Sequence, residues 1–147
     1  NKAVESGVRL LNLFSVEDVY FDKDRQVAGV VVNDSAYKTT NLHVDPLTFT
    51  SKVVMDSTGH EAVVLGCLAK RGIVQIKGED TMNAQCGEEG VLEGTMEVYP
   101  GLIVTGMACA QYYGTPRMGP IFGGMLLSGK KAAAIAAQKL AASKTAR

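Results

Sequence analysis

"SKVVMDSTGHEAVVLGCLAKRG", residues 51–72, decides how this chain folds. An apolar run from Lys52 to Asp56 predicts a short strand, Ser57-Thr58-Gly59 a turn, and the apolar spacing beyond them a helix ending near Gly72. Strand, glycine-containing turn and helix in succession leave free backbone N–H groups at the helix start, where a phosphate or a carboxylate is favoured.

Working outward, "RLLNLFSVEDVYFDKDRQVAGVVVND" places β-branched and aromatic runs on either side of "DKDRQ", the pattern of two strands joined by a charged turn. "NKAVESG" before it reads as a helix leading directly into the first of these strands. Residues 34–43 are polar and predict a loop. Residues 73–94 are rich in glycine and charge and predict another, with some extended structure. "EVYPGLIVTGMACA" predicts a turn at Pro100-Gly101 and a buried strand through Val104. "RMGPIFGGMLLSGKKAAAIAAQKL" then predicts a long helix that Pro120 precedes, with Lys139 to Arg147 as a frayed, solvated tail. Gly123, Gly124 and Gly129 each cost about 1 kcal/mol against alanine in a helix, so close approach of another backbone or a ligand is their expected purpose. The order is strands, strand-turn-helix, strand, long helix. It predicts α/β, with α+β as the alternative, in one unit.

Composition limits the partners. The 147 residues are 46% hydrophobic, enough for one domain with a core. Fifteen basic residues balance fifteen acidic ones, so neither nucleic acid nor an anionic membrane has a charged surface to meet. No stretch approaches the roughly 18 consecutive apolar residues of a membrane span, and no signal-peptide pattern opens the chain. The expectation is a cytoplasmic protein whose partners are small molecules or other subunits. Cys67, Cys86 and Cys109 are odd in number and lack C-x-x-C spacing, which predicts reduced, mostly buried thiols and no zinc ribbon.

Three polar residues could carry chemistry near the deciding stretch. His60 follows Gly59 at the start of the expected helix, where a neutral, metal-binding imidazole is favoured over the cation. Asp45 stands upstream, just before Pro46, in a loop leading toward the same strand, and His43 stands two residues before it. One carboxylate with one imidazole suits a divalent metal such as Fe(II) with open positions for substrate. Stable protein sites usually supply three ligands or more, so capping and loop hydrogen bonds are the commoner reading of such a pair. Arg117, at the head of the last helix, is either a bidentate clamp for carboxylate or phosphate or an exposed loop arginine.

"VVMDSTGH", "EVYPGLIVTGM" and "RMGPIFGGMLLSGKKAA", in this order and spacing, resemble the C-terminal part of the thiamine thiazole synthase family. The likeness is to the archaeal, sulfide-dependent type, also labelled ribose 1,5-bisphosphate isomerase or ribulose-1,5-bisphosphate synthetase, and it runs from about Val16 onward. "RMGPIFGGM" is its most specific block. The resemblance implies the C-terminal part of a glutathione-reductase-like, FAD/NAD(P)-binding Rossmann-type fold. It also implies that the N-terminal Gly-rich β-α-β unit is absent from residues 1–147.

The activity it implies is synthesis of ADP-5-ethyl-4-methylthiazole-2-carboxylate, for thiamine, from NAD, glycine and sulfide with Fe(II). By position, Asp45 and His60 would bind the iron, drawn from adjacent subunits of a homo-octamer. Arg117 would hold the glycine carboxylate, with Met118 and Gly119 beside it. Met107 would contact the nucleotide intermediate, Val16 its adenosine, and His43 with Asp45 would line the same pocket. In the yeast and plant enzymes the position of His43 is a cysteine that surrenders its sulfur and ends the enzyme's life. Histidine there implies external sulfide and multiple turnover, with His43 acting as a base, positioning sulfide, or serving structure. The alternatives are a ribose-1,5-bisphosphate isomerase, a flavin- or NAD-dependent oxidoreductase of the same fold, and a catalytically silent assembly domain.

Overall fold

The charged turn folds as its composition leads one to expect. In the computed structural model, which describes residues 1–40 and 43–145, Asp22 Oδ1 accepts the amides of Asp24 and Gln26, both at 2.9 Å. That turn joins two antiparallel strands, β1 (Phe14–Phe21) and β2 (Val27–Asp34), which follow a one-turn helix, α1 (Lys2–Glu5). The first strand starts at Phe14 and not at the preceding leucines. Leu13 takes a left-handed backbone (φ 63°), and it, Leu10 and Leu11 are exposed.

A six-residue helix, α2 (Ser35–Thr40), replaces the expected 34–43 loop. Asp34 Oδ1 accepts the amide of Ala36 at 2.9 Å, so a polar residue that reads as loop acts as a helix cap. Asn41 and Leu42, also in that expected loop, lie outside the described residues. His43–Pro46 then leads into β3 (Leu47–Thr50), which pairs with β2 at the edge of the first sheet. The loop carrying Asp45 thus opens a separate strand before the predicted one.

The predicted strand is β4 (Val54–Asp56). It is followed by a single 3₁₀ turn (Gly59–Glu61) and then α3 (Val63–Ala69). Beyond these come β5 (Asp80–Met82), α4 (Ala84–Gly94), β6 (Met96–Tyr99), β7 (Leu102–Val104), α5 (Met107–Tyr113), β8 (Pro116–Arg117) and α6 (Gly123–Thr145). The second sheet has the order β4-β7-β6, with β4 and β7 parallel and β6 antiparallel to β7. β5 and β8 form a small parallel ribbon. The fold is mixed α/β. No helix among the described residues is long and apolar enough to cross a membrane.

β7 is the centre of the packing. Leu102, Ile103 and Val104 are all fully buried, as a short apolar run covered on both faces should be. One face meets Leu65 and Leu68 of α3 and Ala108 of α5. On the other, Ala132 and Ala136 of α6 lie against Ile103. Gly101, just before β7, has φ +86°, and a Cβ there would stand 2.0 Å from the Val27 carbonyl oxygen. Only glycine allows this approach, through which the Val27 amide donates to the Pro100 carbonyl at 2.8 Å and the hairpin is tied to the second sheet.

The glycine-rich 73–94 region corrects the expectation of a loop: its second half is α4. A Cβ on Gly87 would lie 2.7 Å from the Pro116 carbonyl oxygen, and one on Gly94 would lie 2.9 Å from the Tyr113 ring. These glycines let α4 approach neighbouring elements, and Asn83 caps it by accepting the Cys86 amide. The long final helix starts at Gly123, three residues after Pro120. Two of its three glycines are sites of close approach: a Cβ on Gly124 would stand 2.7 Å from Glu88 Cγ, and one on Gly123 3.1 Å from Glu88 Oε1. Gly129 would meet nothing within 4 Å. The expected frayed tail is helical through Thr145, and Lys139 within it pairs with Glu97.

Candidate functional site

β4 and β7 run parallel, side by side, and both end at the same edge of the sheet. The carboxyl ends of adjacent parallel strands are where open α/β sheets place their ligands. The two turns that leave these strands carry the candidate residues.

The first turn is built around Asp56, the fully buried last residue of β4. Its Oδ1 accepts the Thr58 amide at 3.0 Å and the Thr58 hydroxyl at 2.6 Å, and its Oδ2 accepts the Leu65 amide at 2.9 Å. The Thr58 hydroxyl oxygen in turn accepts the Val63 amide at 2.7 Å. "DSTGH" is therefore a self-capping turn that fixes where His60 stands. His60 lies in the 3₁₀ turn that precedes α3 rather than in the helix itself.

The second turn follows β7. Gly106 takes φ +62° and ψ −145°, open to glycine and strained for other residues, and its amide donates to Ser128 Oγ at 2.9 Å. The Ser128 hydroxyl is fully buried and also bonds Thr105 Oγ1 at 2.7 Å and Thr95. A hydroxyl cluster thereby pins α6 against the turn that presents Met107.

Between the two turns lies a cavity of about 380 Å³, walled by His60, Gly106, Met107, Gly119 and Met125 among others. An adjoining one of about 250 Å³ is lined by His60, Met82, Arg117 and Gly119. His60 and Gly119 are common to both. Of the residues singled out in the sequence, the structure brings together His60, Met107, Arg117 and Gly119. Met118 is buried beneath them, packed with Val91, Met107 and Ala110. Arg117 is exposed on β8, several residues before α6, and not at that helix's head.

Val16, His43 and Asp45 line neither cavity. Val16 is partly buried on β1, against the main core cluster. His43 and Asp45 are exposed in the segment before β3, and neither side chain has a hydrogen bond or ion pair among the described residues. Nor do the described residues contain any group of three or more His, Cys, Asp or Glu able to hold a metal.

One residue of the site escaped the sequence reading. Glu79 places both carboxylate oxygens on His60 Nδ1, at 2.7 and 2.9 Å, across nineteen positions of sequence. Nothing in "IKGEDTMN" distinguishes this glutamate from a solvated loop residue; only the pairing of β5 with β8 carries it to the site.

The cysteines are as expected in two cases of three. Cys67 and Cys109 are buried, and Cys86 is exposed on α4. Burial pushes the Cys109 thiol up to about 11 and the Cys67 thiol up as well. No cysteine is among the described residues lining the two cavities.

Comparison with known proteins gives the family. The Thi4 family model matches residues 1–122. The thiamine thiazole synthase of Pyrococcus furiosus is 53% identical over 141 residues, covering 95% of this chain and 56% of its own. That of Thermotoga maritima is 48% identical over 139 residues, covering 95% of this chain and 55% of its own. The crystal structure of Thermovibrio ammonificans THI4 matches with a TM-score of 0.85 at 40% identity, over 93% of this chain and 56% of that one. The chain thus spans about half the length of the curated relatives it matches. With its sequence and its fold in agreement, this chain belongs to the Thi4 family.

Proposed function

We propose that these residues form the C-terminal part of a thiamine thiazole synthase that makes an adenylated thiazole carboxylate from NAD, glycine and sulfide. The parent domain in this reading is of the Rossmann type, and β4, β7 and the helices between them are its later portion. The observation that carries the proposal is the meeting of His60, Met107, Arg117 and Gly119 on two adjoining cavities at the carboxyl edge of the parallel strands.

The donor set suits Fe(II). Glu79 occupies Nδ1 of His60, which leaves Nε2 as the ring's remaining ligating nitrogen, on a residue that lines both cavities. Asp45 is an exposed carboxylate without an intrachain partner among the described residues, available to a neighbouring subunit. His60 and the Asp45 of an adjacent copy would hold the ion, and the assembly would be a homo-oligomer, an octamer by family likeness. When bound, the iron supplies Lewis acidity and exchangeable positions.

The chain's own side chains do the rest. The Arg117 guanidinium, exposed at the second cavity, pairs with the glycine carboxylate in a bidentate fork. Met107 gives the nucleotide portion an apolar wall, and Gly119 admits it closely for want of a side chain. Met118 holds that wall from below, and Val16 serves the adenosine. His43 positions sulfide or takes its proton. Sulfide as the sulfur source agrees with the lining of the two cavities, to which no cysteine contributes among the described residues.

The test is an anaerobic assay of the full-length protein with NAD, glycine, Fe(II) and sulfide, read by mass spectrometry of the products. More than one adenylated thiazole per subunit, lost in His60→Ala and in Asp45→Ala, is the expected result. No product with sulfide present, or full activity in both variants, would overturn it.

A further inference from the structure

We infer that Glu79 is a positioning residue for His60: its carboxylate holds the neutral imidazole in the Nδ1–H tautomer and so leaves Nε2 as the nitrogen free to bind a metal. The inference rests on the proposed metal-binding role of His60 and adds a residue to it.

The chemistry of the contact sets the tautomer. A carboxylate only accepts hydrogen bonds, and both of its oxygens lie within 2.9 Å of Nδ1. Nδ1 must then carry the proton, and in the neutral ring Nε2 is the free donor pair. A ring that binds metal through one nitrogen and gives its other N–H to a carboxylate is the usual arrangement of ligating histidines, because the second contact fixes both ring orientation and basicity. Among the described residues Nε2 has no hydrogen-bond partner.

Both partners stand on anchored segments. On one side, the Asp56-centred turn fixes His60. On the other, the amides flanking Glu79 are anchored: Gly78 donates to the Gln111 carbonyl at 3.0 Å and Asp80 to the Thr115 carbonyl at 3.1 Å. Farther along, the Asn83 amide donates to the Arg117 carbonyl at 3.0 Å. The strand that brings Glu79 to His60 is thus the one that pairs with the Arg117 strand. Burial differs between the two partners in the direction a support requires. The Glu79 side chain is 16% exposed and that of His60 57%, so the carboxylate is the sheltered member and the imidazole faces outward.

An exposed ion pair of no consequence would look similar in outline, and two measurements separate it from a support. The first is ¹⁵N NMR of the histidine ring nitrogens in metal-free full-length protein, at an alkaline pH where ordinary imidazoles are neutral. The His60 signals are assigned by their absence in His60→Asn. Wild type and Glu79→Gln, whose amide oxygen still accepts, are expected as the Nδ1–H tautomer. Glu79→Ala is expected to move to predominantly Nε2–H. The second measurement is anaerobic Fe(II) binding, expected to weaken about 10–100-fold in Glu79→Ala and less in Glu79→Gln. An Nε2–H ring in wild type, or the wild-type tautomer retained in Glu79→Ala, would overturn the inference. Wild-type protein that binds no Fe(II) would sink the iron proposal instead, while the ring signals still decide for or against Glu79.

Discussion

Asp56–Leu65 and His43–Thr50 are close neighbours in sequence and are held in opposite ways. In the first, one buried carboxylate accepts three hydrogen bonds, a threonine hydroxyl accepts a further amide, and the histidine that results has its own carboxylate partner. In the second every residue is exposed, and its support among the described residues is an edge strand paired with β2, with the Phe49 ring edge-on to Phe14 at 6.4 Å. In the proposed metal site each region supplies one residue. One of those residues is organised by its own chain. The other displays its carboxylate outward, where a second copy can complete the site.

The largest effect should come from the first region. Asp56→Ala orphans the buried Leu65 amide, frees the Thr58 amide and hydroxyl and leaves a cavity in the place of a fully buried side chain, and a loss of about 3 kcal/mol is expected in denaturant unfolding of the full-length protein. Asp56→Asn, which retains an acceptor, should lose less. A loss below about 1 kcal/mol for the alanine variant would remove the contrast between the two regions.

The partner turn should respond next. Ser128→Ala removes a fully buried hydroxyl that accepts the Gly106 amide and joins Thr95 and Thr105, so a loss of about 1–2 kcal/mol is expected in thermal unfolding. Ser128→Cys, which keeps a weak acceptor of similar shape, should recover part of it. An unchanged midpoint in Ser128→Ala would mean that the Met107 turn is held by packing alone.

The sequence reveals the rigid region better than the site assembled on it. The strand at 54–56, the turn and the buried run at 102–104 follow from apolar patterning and from Pro100-Gly101, because each is a local signal that burial then confirms. His60, Met107, Arg117 and Gly119 were legible through their motifs, and their convergence is tertiary. What patterning hid was of two kinds. The α4 glycines look like a loop because composition cannot distinguish glycine that frees a turn from glycine that admits a neighbouring backbone, as Gly87 does for Pro116. Glu79 reaches His60 only through the β5–β8 pairing, and Asp80–Met82 is three exposed residues with no apolar alternation to predict it.

A smaller, pH-dependent effect belongs to the opposite edge of the second sheet and serves as a control on the comparison. Burial tends to raise the Glu97 carboxyl, but Lys139 and the Gly101 amide outweigh it, and the group sits below the ordinary carboxylate range. Since the folded value lies below the unfolded one, the associated stability is fully present above the ordinary carboxylate range and fades as pH falls through the folded value. The pair is about one-third exposed, so less than about 1 kcal/mol is at stake. Lys139→Met should flatten the acid limb of the stability curve and leave Fe(II) binding unchanged. A change in iron affinity would show that the two edges of the sheet are coupled.

The smallest effect on the fold separates the two regions most sharply. Asp45 is exposed and, among the described residues, unpartnered, so Asp45→Ala removes no intrachain contact of that side chain and should shift unfolding by no more than about 0.5 kcal/mol. His60→Ala also leaves the Asp56 network intact, and should destabilise only modestly through the loss of its exposed pair with Glu79. Both variants should nevertheless lose Fe(II), because each removes half of the proposed donor set. Mixing the two inactive proteins under conditions of subunit exchange then distinguishes where the pair meets. If Asp45 and His60 come from different subunits, some interfaces in the mixture regain both side chains, and iron binding returns to a fraction of wild type. If both ligands belong to one chain, no mixed site is complete and binding stays lost. Recovery on mixing would show that the exposed 43–50 segment is a donor to its neighbour's Asp56-centred turn, and that the outward display of its carboxylate serves that role.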